Sequence, residues 1–178
     1  MEEPKDRYIF LVGFMGSGKT TVGRALARSL VWPFNDIDEQ IVAHEGRSIS
    51  DIFRLRGEPY FRKIESEVLL SLAGRGRAVI ALGGGTFCRT ENQAFIKDHG
   101  ASIWLNSSLA DILRRLPRDG SRPLFKTPVE VEDLLARRIP FYEQADLIIA
   151  TSQRRVDDIV GEVLEWLKGR WAIKVNLA

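Results

Sequence analysis

The chain has 178 residues, the size of one domain with a single core, since domains usually hold about 100 to 200 residues. Its 26 basic and 24 acidic residues leave a formal charge of +2, which argues against a dedicated nucleic-acid-binding protein. The single cysteine excludes an internal disulfide, and no uncharged run reaches the roughly 20 apolar residues of a membrane span. We therefore expect one cytoplasmic domain with no nucleic-acid or membrane partner.

Short apolar runs alternate along the chain with segments that have helical spacing. The first run, Tyr8 to Val12, is continuous and ends at Gly13, which is typical of a strand buried on both faces and predicts the central strand of a sheet. Four more strands are predicted at 33–36, 78–82, 101–105 and 147–150. The helical spacing is clearest from Val156 to Leu167. This alternation indicates an α/β fold with a five-stranded sheet.

A phosphate-binding loop is predicted from Gly13 to Thr20, which reads Gly-Phe-Met-Gly-Ser-Gly-Lys-Thr. Backbone N–H groups of such a loop surround phosphate oxygens, while Lys19 reaches the β- and γ-phosphates and the Thr20 hydroxyl ligates Mg²⁺. The alternative is a flexible glycine-rich turn with an incidental lysine. The preceding strand and the helical pattern that follows favour ATP or GTP binding.

Two aspartates, Asp36 and Asp38, follow the second predicted strand. On an extended segment both carboxylates would point the same way, toward the phosphate site, where one could serve a metal and the other an incoming hydroxyl. The alternative is that they cap a helix that begins near Glu39. The residues alone leave both interpretations open.

Three glycines, Gly83 to Gly85, follow the strand that ends at Leu82. They remove every side chain from a strand end where α/β sheets bind ligands, so that a substrate can lie against bare backbone N–H groups. A tight turn with positive φ is the alternative, but one glycine usually suffices for that. Farther along, residues 117–128 contain three prolines and three cationic side chains, which predicts a long loop of the kind that forms active-site lids.

In this order and spacing, these segments resemble the shikimate kinase family over nearly the whole chain. The matching pieces are 13–23, 36–38, 46–53, 57–58, 61–65, 83–85, 122–124 and 138–142. Phe125 departs from the leucine usual at its position, and the composition of 116–121 also differs. The resemblance implies a P-loop NTPase-type three-layer sandwich, with a five-stranded parallel sheet flanked by helices as in nucleoside monophosphate kinases. It also implies transfer of the ATP γ-phosphoryl to the 3-hydroxyl of shikimate, a step in chorismate and aromatic amino acid biosynthesis.

The resemblance further assigns roles to residues. Lys19, Asp38 and Arg122 are the expected catalytic residues, and one Mg²⁺ per subunit is expected at Thr20 and Asp36. The expected ATP-binding residues are Gly16, Ser17, Gly18, Lys19, Thr20, Thr21, Arg115, Arg122 and Arg154. The expected substrate-binding residues are Asp38, Arg62, Gly83, Gly84, Gly85 and Arg138. A monomeric kinase domain spanning 1–178 is expected, with a lid at about 114–128 and a substrate-binding helical region at about 38–73.

The arginines in this set have a physical rationale, because shikimate is a small carboxylate and the guanidinium fork matches carboxylate oxygens. Arg62 and Glu65 are three residues apart on a predicted helix, so Glu65 could orient the guanidinium; a surface ion pair is the alternative. Arg138 precedes Pro140, which would bend the helix and could direct Arg138 inward. Cys88 lies near the glycines, but no histidine is placed to activate it, and we assign it no catalytic role.

Two other functions remain as alternatives. A P-loop kinase for another small polyol acid, such as gluconate, need not carry Arg62, Gly84 and Arg138 together. An inactive kinase-like binding protein would be expected to lack Lys19, one aspartate or the lid arginine. All of these residues are present in the chain.

Overall fold

The computed structural model describes residues 7–116 and 127–171. Its five strands are β1 (Arg7–Val12), β2 (Phe34–Asp36), β3 (Arg77–Ala81), β4 (Gly100–Asn106) and β5 (Leu147–Ala150). The helices are α1 (Lys19–Leu30), α2 (Ile37–Glu45), α3 (Ile49–Leu70), α4 (Thr90–His99), α5 (Leu109–Arg115), α6 (Pro128–Tyr142) and α7 (Val156–Trp171), with a 3₁₀ turn at Thr86–Cys88. All five strands are parallel in the order β2-β3-β1-β4-β5. The predicted sheet and its central strand are therefore confirmed.

The central strand β1 is buried on both faces of the sheet, which explains its uninterrupted apolar sequence. Ile9 and Leu11 belong to one core, together with side chains of α1 and α7. Tyr8, Phe10 and Val12 belong to the other core, together with side chains of α3, α4 and α6. The buried residues of α7 follow the stripe predicted for it, from Ile159 through Val163 to Leu167.

Helix α2 begins earlier than predicted and changes the argument about the two aspartates. It starts at Ile37 rather than near Glu39, and Asp36 is its N-cap: the Asp36 carboxylate accepts a hydrogen bond from the N–H of Asp38 at 3.0 Å. The premise of an extended segment through both residues is therefore wrong. Asp36 ends the strand, and Asp38 lies in the first turn of the helix.

The structure describes only the ends of the predicted lid, and both ends include helical residues. Arg114 and Arg115 belong to α5, and Pro128 is the first residue of α6. Thr127 caps that helix: its hydroxyl accepts from the N–H of Glu130, whose carboxylate accepts from the Thr127 N–H, a reciprocal capping box. Residues 117–126, including Arg122, lie outside the described residues.

Helix α3 is two helical segments joined at Gly57, whose φ of 79° and ψ of 169° are not helical. A side chain rarely adopts this φ, so glycine is required there. Pro59 falls in the first turn of the second segment, where the missing N–H breaks no helical hydrogen bond. The break sets the direction of the segment that carries Arg62 and Glu65.

Throughout the described ranges, no helix combines the length and the apolar character that a membrane span requires.

The close packing of β4 against β1 gives a test of the fold. A Cβ on Gly100 would lie 2.1 Å from the carbonyl oxygen of Tyr8, whereas a Cβ on Gly161 of α7 would meet nothing within 4 Å. Gly100→Ala should therefore destabilise the protein by about 2 kcal/mol or more, because strand backbone must move. Gly161→Ala should stabilise it by about 0.5 to 1 kcal/mol, the helix-propensity difference. Urea unfolding of both variants measures the two changes, and equal free energies of unfolding would contradict the proposed packing.

Candidate active site

A cleft of about 320 Å³ opens beyond the carboxyl ends of the central strands, where parallel sheets bind ligands. Its lining combines the phosphate-binding loop, the two aspartates, three arginines, the three glycines and apolar side chains. The lining residues are Met15, Gly16, Gly18, Lys19, Thr20, Thr21, Asp36, Asp38, Ile49, Phe53, Phe61, Arg62, Glu65, Leu82, Gly83, Gly84, Gly85, Arg115 and Arg138. Most of the predicted site residues are thus brought together.

The phosphate-binding loop has the geometry of an anion site. Gly16 and Gly18 have φ of 76° and 97°, values that side chains disfavour, and Gly18 caps α1 without a side-chain hydrogen bond. The positive end of the α1 dipole is therefore not covered by a capping side chain. The Lys19 ammonium donates to the carbonyl oxygens of Gly13 and Phe14 at 2.8 and 3.0 Å. It is thus held beside the loop.

Asp36 makes two side-chain contacts. Besides capping α2, its carboxylate accepts a hydrogen bond from the Thr20 hydroxyl at 2.8 Å. A threonine hydroxyl and a carboxylate are therefore adjacent at the start of α1. Asp38 lines the same cleft, and its Oδ1 lies 3.1 Å from the position that a Cβ on Gly83 would take.

Arg62 is held between two carboxylates. Its Nη1 donates to Glu65 at 2.9 Å, while Nε and Nη2 both donate to Oε1 of Glu58 at 3.2 and 3.1 Å. Glu65 is 0% exposed, so the interpretation as a surface ion pair is wrong for this contact. Burial lowers the pKa of Arg62, but the charges and hydrogen bonds of Glu65 and Glu58 more than offset it, and the pKa is raised. Arg62 stays cationic.

Arg138 is the other buried guanidinium of the cleft, only 6% exposed. It lies on the inward face of α6 with Val131 and Tyr142, and its guanidinium carbon is 5.4 Å from the centre of the Phe14 ring. The helix continues through Pro140 to Tyr142, so its helical register directs Arg138 inward. Among the described residues no acceptor is within hydrogen-bonding reach of Nη1. A buried cationic donor without an acceptor marks the place for a bound anion.

The three glycines make room for charged side chains. None has a positive φ, so the tight-turn alternative is wrong. A Cβ on Gly83 would come within 2.3 Å of Glu65, one on Gly84 within 3.0 Å of Arg138, and one on Gly85 within 2.6 Å of Arg62. The side-chain-free backbone predicted here thus lets three ionised groups approach this strand end.

Two protonated groups lie behind this backbone. Burial raises the pKa of Tyr142 well above its ordinary value, despite the charge of Arg138, and its hydroxyl donates to the carbonyl of Gly84. Burial also raises the pKa of the Cys88 thiol, although Arg138 and Arg62 act in the opposite direction. Cys88 is therefore mostly a neutral thiol near pH 7. This agrees with the absence of an assigned catalytic role.

Sequence reasoning missed the apolar wall of the cleft. This wall is formed by Met15, Ile49, Phe53, Phe61 and Leu82. The centres of the Phe53 and Phe61 rings are 4.7 Å apart. The signal was present in part, since Phe61 directly precedes Arg62 in sequence. Helical spacing alone marks such residues as core, because it does not distinguish packing from the wall of a cleft.

The three arginines predicted near the nucleotide differ in where the structure places them. Arg115 lines the cleft, and its Nη1 donates to the carbonyl of Gly16 at 3.2 Å. Arg154 lies outside the cleft lining; it donates to the carbonyls of Ala150 and Asp158 and pairs with Glu162 at 2.7 Å. Arg122 is outside the described residues. Of the three, only Arg115 is seen beside the phosphate-binding loop.

The parallel sheet, the phosphate-binding loop and the adjacent cleft define a P-loop kinase for a small molecule. The shikimate kinase family model matches residues 15–168. A shikimate kinase of Persephonella marina is 42% identical over 159 residues, 89% of this chain and 97% of the relative. This chain belongs to the shikimate kinase family.

Solved structures agree with this assignment. The structure of a shikimate kinase from Acinetobacter baumannii in complex with shikimate has a TM-score of 0.88 and 36% identity, covering 94% of this chain and 96% of that one. The shikimate kinase of Aquifex aeolicus has a TM-score of 0.82 and 39% identity, covering 92% and 97%. A sugar kinase from Janibacter, 16% identical, shares the fold alone.

Proposed function

We propose that the chain transfers the γ-phosphoryl group of ATP to the 3-hydroxyl of shikimate, giving shikimate 3-phosphate and ADP. The observation that carries this proposal is the buried, unsatisfied Nη1 of Arg138, which lies in the same cleft as Arg62, Asp38 and the phosphate-binding loop. The carboxylate of a small hydroxylated acid supplies the acceptor that Nη1 of Arg138 lacks among the described residues. It also brings a hydroxyl group into the cleft that holds the nucleotide phosphates.

The phosphate-binding loop is the proposed site of the ATP phosphates, which the N–H groups of Gly16, Ser17, Gly18, Thr20 and Thr21 bind. Lys19 exchanges its carbonyl partners in the loop for phosphate oxygens. Arg115 contacts the loop from α5 and approaches the nucleotide from that side. Arg122 remains a predicted contributor from the lid, and Arg154 a predicted contact near the adenine. Phosphoryl transfer mainly requires such positioning and neutralisation of charge.

Thr20 and Asp36 form a donor set that fits Mg²⁺. Their side-chain oxygens are 2.8 Å apart, and Mg²⁺ is usually held by one or two protein oxygens together with substrate phosphates and water. No cluster of three or more metal-ligating side chains occurs in the part of the chain that the structure describes, which agrees with a metal held largely by the nucleotide. When bound, Mg²⁺ neutralises charge on the phosphates.

The acceptor site is proposed between α2, α3, α6 and the three glycines. Arg62 and Arg138 bind the carboxylate of shikimate, and the backbone of Gly83, Gly84 and Gly85 lies against it. Asp38 orients the 3-hydroxyl and accepts its proton as the phosphoryl group arrives. We propose about 38–73 as the substrate-binding region and about 114–128 as the lid of a single kinase domain. We propose that the chain acts as a monomer in the cytoplasm.

A coupled ADP-release assay tests the reaction directly. The purified chain is given ATP and Mg²⁺ with shikimate, quinate or gluconate. We expect turnover with shikimate, and loss of turnover when Mg²⁺ is removed with EDTA, because charge on the phosphates is then no longer neutralised. Activity with gluconate alone would overturn the assignment in favour of another polyol-acid kinase, and no activity with any acceptor would favour a binding protein.

The role of Asp38 predicts a kinetic defect without a nucleotide-binding defect. Asp38→Asn should lower kcat by about 10² or more, because the amide cannot accept the hydroxyl proton. The KM for ATP should stay near the wild-type value. The matched control is Asp98→Asn, an exposed carboxylate of α4 outside the cleft lining, which should leave both constants unchanged. A wild-type kcat for Asp38→Asn would contradict the proposed role.

The contact between Glu58 and Arg62 predicts an unusual gain in apparent affinity. Glu58 occupies the Nε and Nη2 edge of Arg62, the edge suited to bidentate binding, so the substrate carboxylate must displace it. Glu58→Gln weakens this competitor and should lower the KM for shikimate about twofold to fivefold, since neutral acceptors bind guanidinium less strongly. The control is Glu67→Gln, which removes an exposed pair with Lys63 on the same helix. A higher KM in Glu58→Gln would show instead that Glu58 supports Arg62.

A further inference from the structure

A chain of hydrogen bonds connects the turn after the three glycines to the substrate arginine. The hydroxyl of Thr86 donates to Oε1 of Glu65 at 2.7 Å, and Oε2 of the same carboxylate accepts from Nη1 of Arg62 at 2.9 Å. Thr86 and Glu65 are both fully buried. Thr86 is not among the residues that line the cleft, and its hydroxyl is hydrogen-bonded to Glu65, which is.

The backbone of Thr86 is held in place independently of Glu65. Its N–H donates to the carbonyl of Gly83 at 3.2 Å, and its carbonyl accepts from the side chain of Asn92, a buried residue of α4, at 2.9 Å. The Thr86 hydroxyl is therefore carried by a backbone segment that two hydrogen bonds hold in place. Such a donor restricts a flexible glutamate side chain better than a mobile one would.

The two oxygens of Glu65 have different neighbours, and this makes the Thr86 bond important. Oε1 lies 2.3 Å from the position of a Cβ on Gly83, a position that Oδ1 of Asp38 approaches to 3.1 Å. Two carboxylates thus converge on Gly83. A neutral hydroxyl that donates to Oε1 satisfies the buried oxygen without adding another charge. Without it, the carboxylate would rotate toward another donor and alter its bond with Arg62.

We propose that Thr86 is a positioning residue for the acceptor substrate. Through Glu65 it sets the orientation of the Arg62 guanidinium that binds the carboxylate of shikimate. This inference rests on the proposed function, because it concerns the same carboxylate site. It predicts an effect on the binding of the acid and little effect on the nucleotide or on the transfer step.

The test replaces the hydroxyl with a methyl group of similar shape. In Thr86→Val, the KM for shikimate and its calorimetric Kd should both rise about tenfold, the effect of losing a hydrogen bond to a charged group. The kcat and the KM for ATP should change less than about twofold, because Lys19 and Asp38 are untouched. Thr86→Ser keeps the donor and should restore the wild-type KM. Should Thr86→Val not fold, Thr86→Ala takes its place under the same criteria.

The matched control is Ser102→Ala. Ser102 of β4 is also buried and its hydroxyl donates to a carboxylate, Asp146, at 2.9 Å, outside the cleft lining. This variant should lower the melting temperature without changing the KM for shikimate. If Thr86→Val only lowers the melting temperature in the same way, the hydroxyl is merely structural and the inference is overturned.

A double-mutant cycle with Arg62→Lys tests whether the effect of Thr86 on shikimate binding depends on Arg62. If Thr86 acts through Arg62, the double variant should bind shikimate about as weakly as Arg62→Lys alone; additive losses would overturn the inference. Failure of the proposed function is distinguishable, because the wild-type chain would then fail to phosphorylate shikimate. If the wild-type chain phosphorylates shikimate but Thr86→Val has the same KM and Kd for shikimate, only the inference about Thr86 is overturned.

Discussion

The cleft depends on the burial of one carboxylate, that of Glu65. An ionised group removed from water is stable only when its charge is matched and its oxygens are hydrogen-bonded. Arg62, on the same helix, provides the compensating positive charge for Glu65 and one hydrogen bond. Thr86, on a turn 21 residues later in the chain, donates a second hydrogen bond. The helix break at Gly57 and the bare glycine backbone after β3 are the local features that allow these groups to meet.

The glycines on the two sides of the cleft serve different physical purposes. Gly16 and Gly18 adopt positive φ, which allows the loop to curl before the uncapped start of α1. None of Gly83, Gly84 and Gly85 has a positive φ, and what matters there is the missing Cβ. One side therefore shapes the loop backbone in front of α1, whereas the other lets cationic and anionic side chains approach the strand end.

The two buried arginines are not equivalent. Arg62 has acceptors for both edges of its guanidinium, whereas Nη1 of Arg138 has none among the described residues. A donor that is buried without an acceptor costs free energy that a bound carboxylate recovers. Among the described arginines, these two line the cleft together with Arg115.

The sequence by itself determined the strand positions, the central place of β1, the phosphate-binding loop and the family, because these depend on local apolar runs and on contiguous residues. Through the family resemblance it also predicted a common site for Asp38, Arg62 and Arg138, and all three line the cleft. Only the tertiary structure decided that Glu65 is buried rather than on the surface, that Arg154 pairs with Glu162, and that Thr86 and Glu58 contact this network. Burial and hydrogen-bond partners depend on elements distant in sequence, and no local pattern encodes those distances.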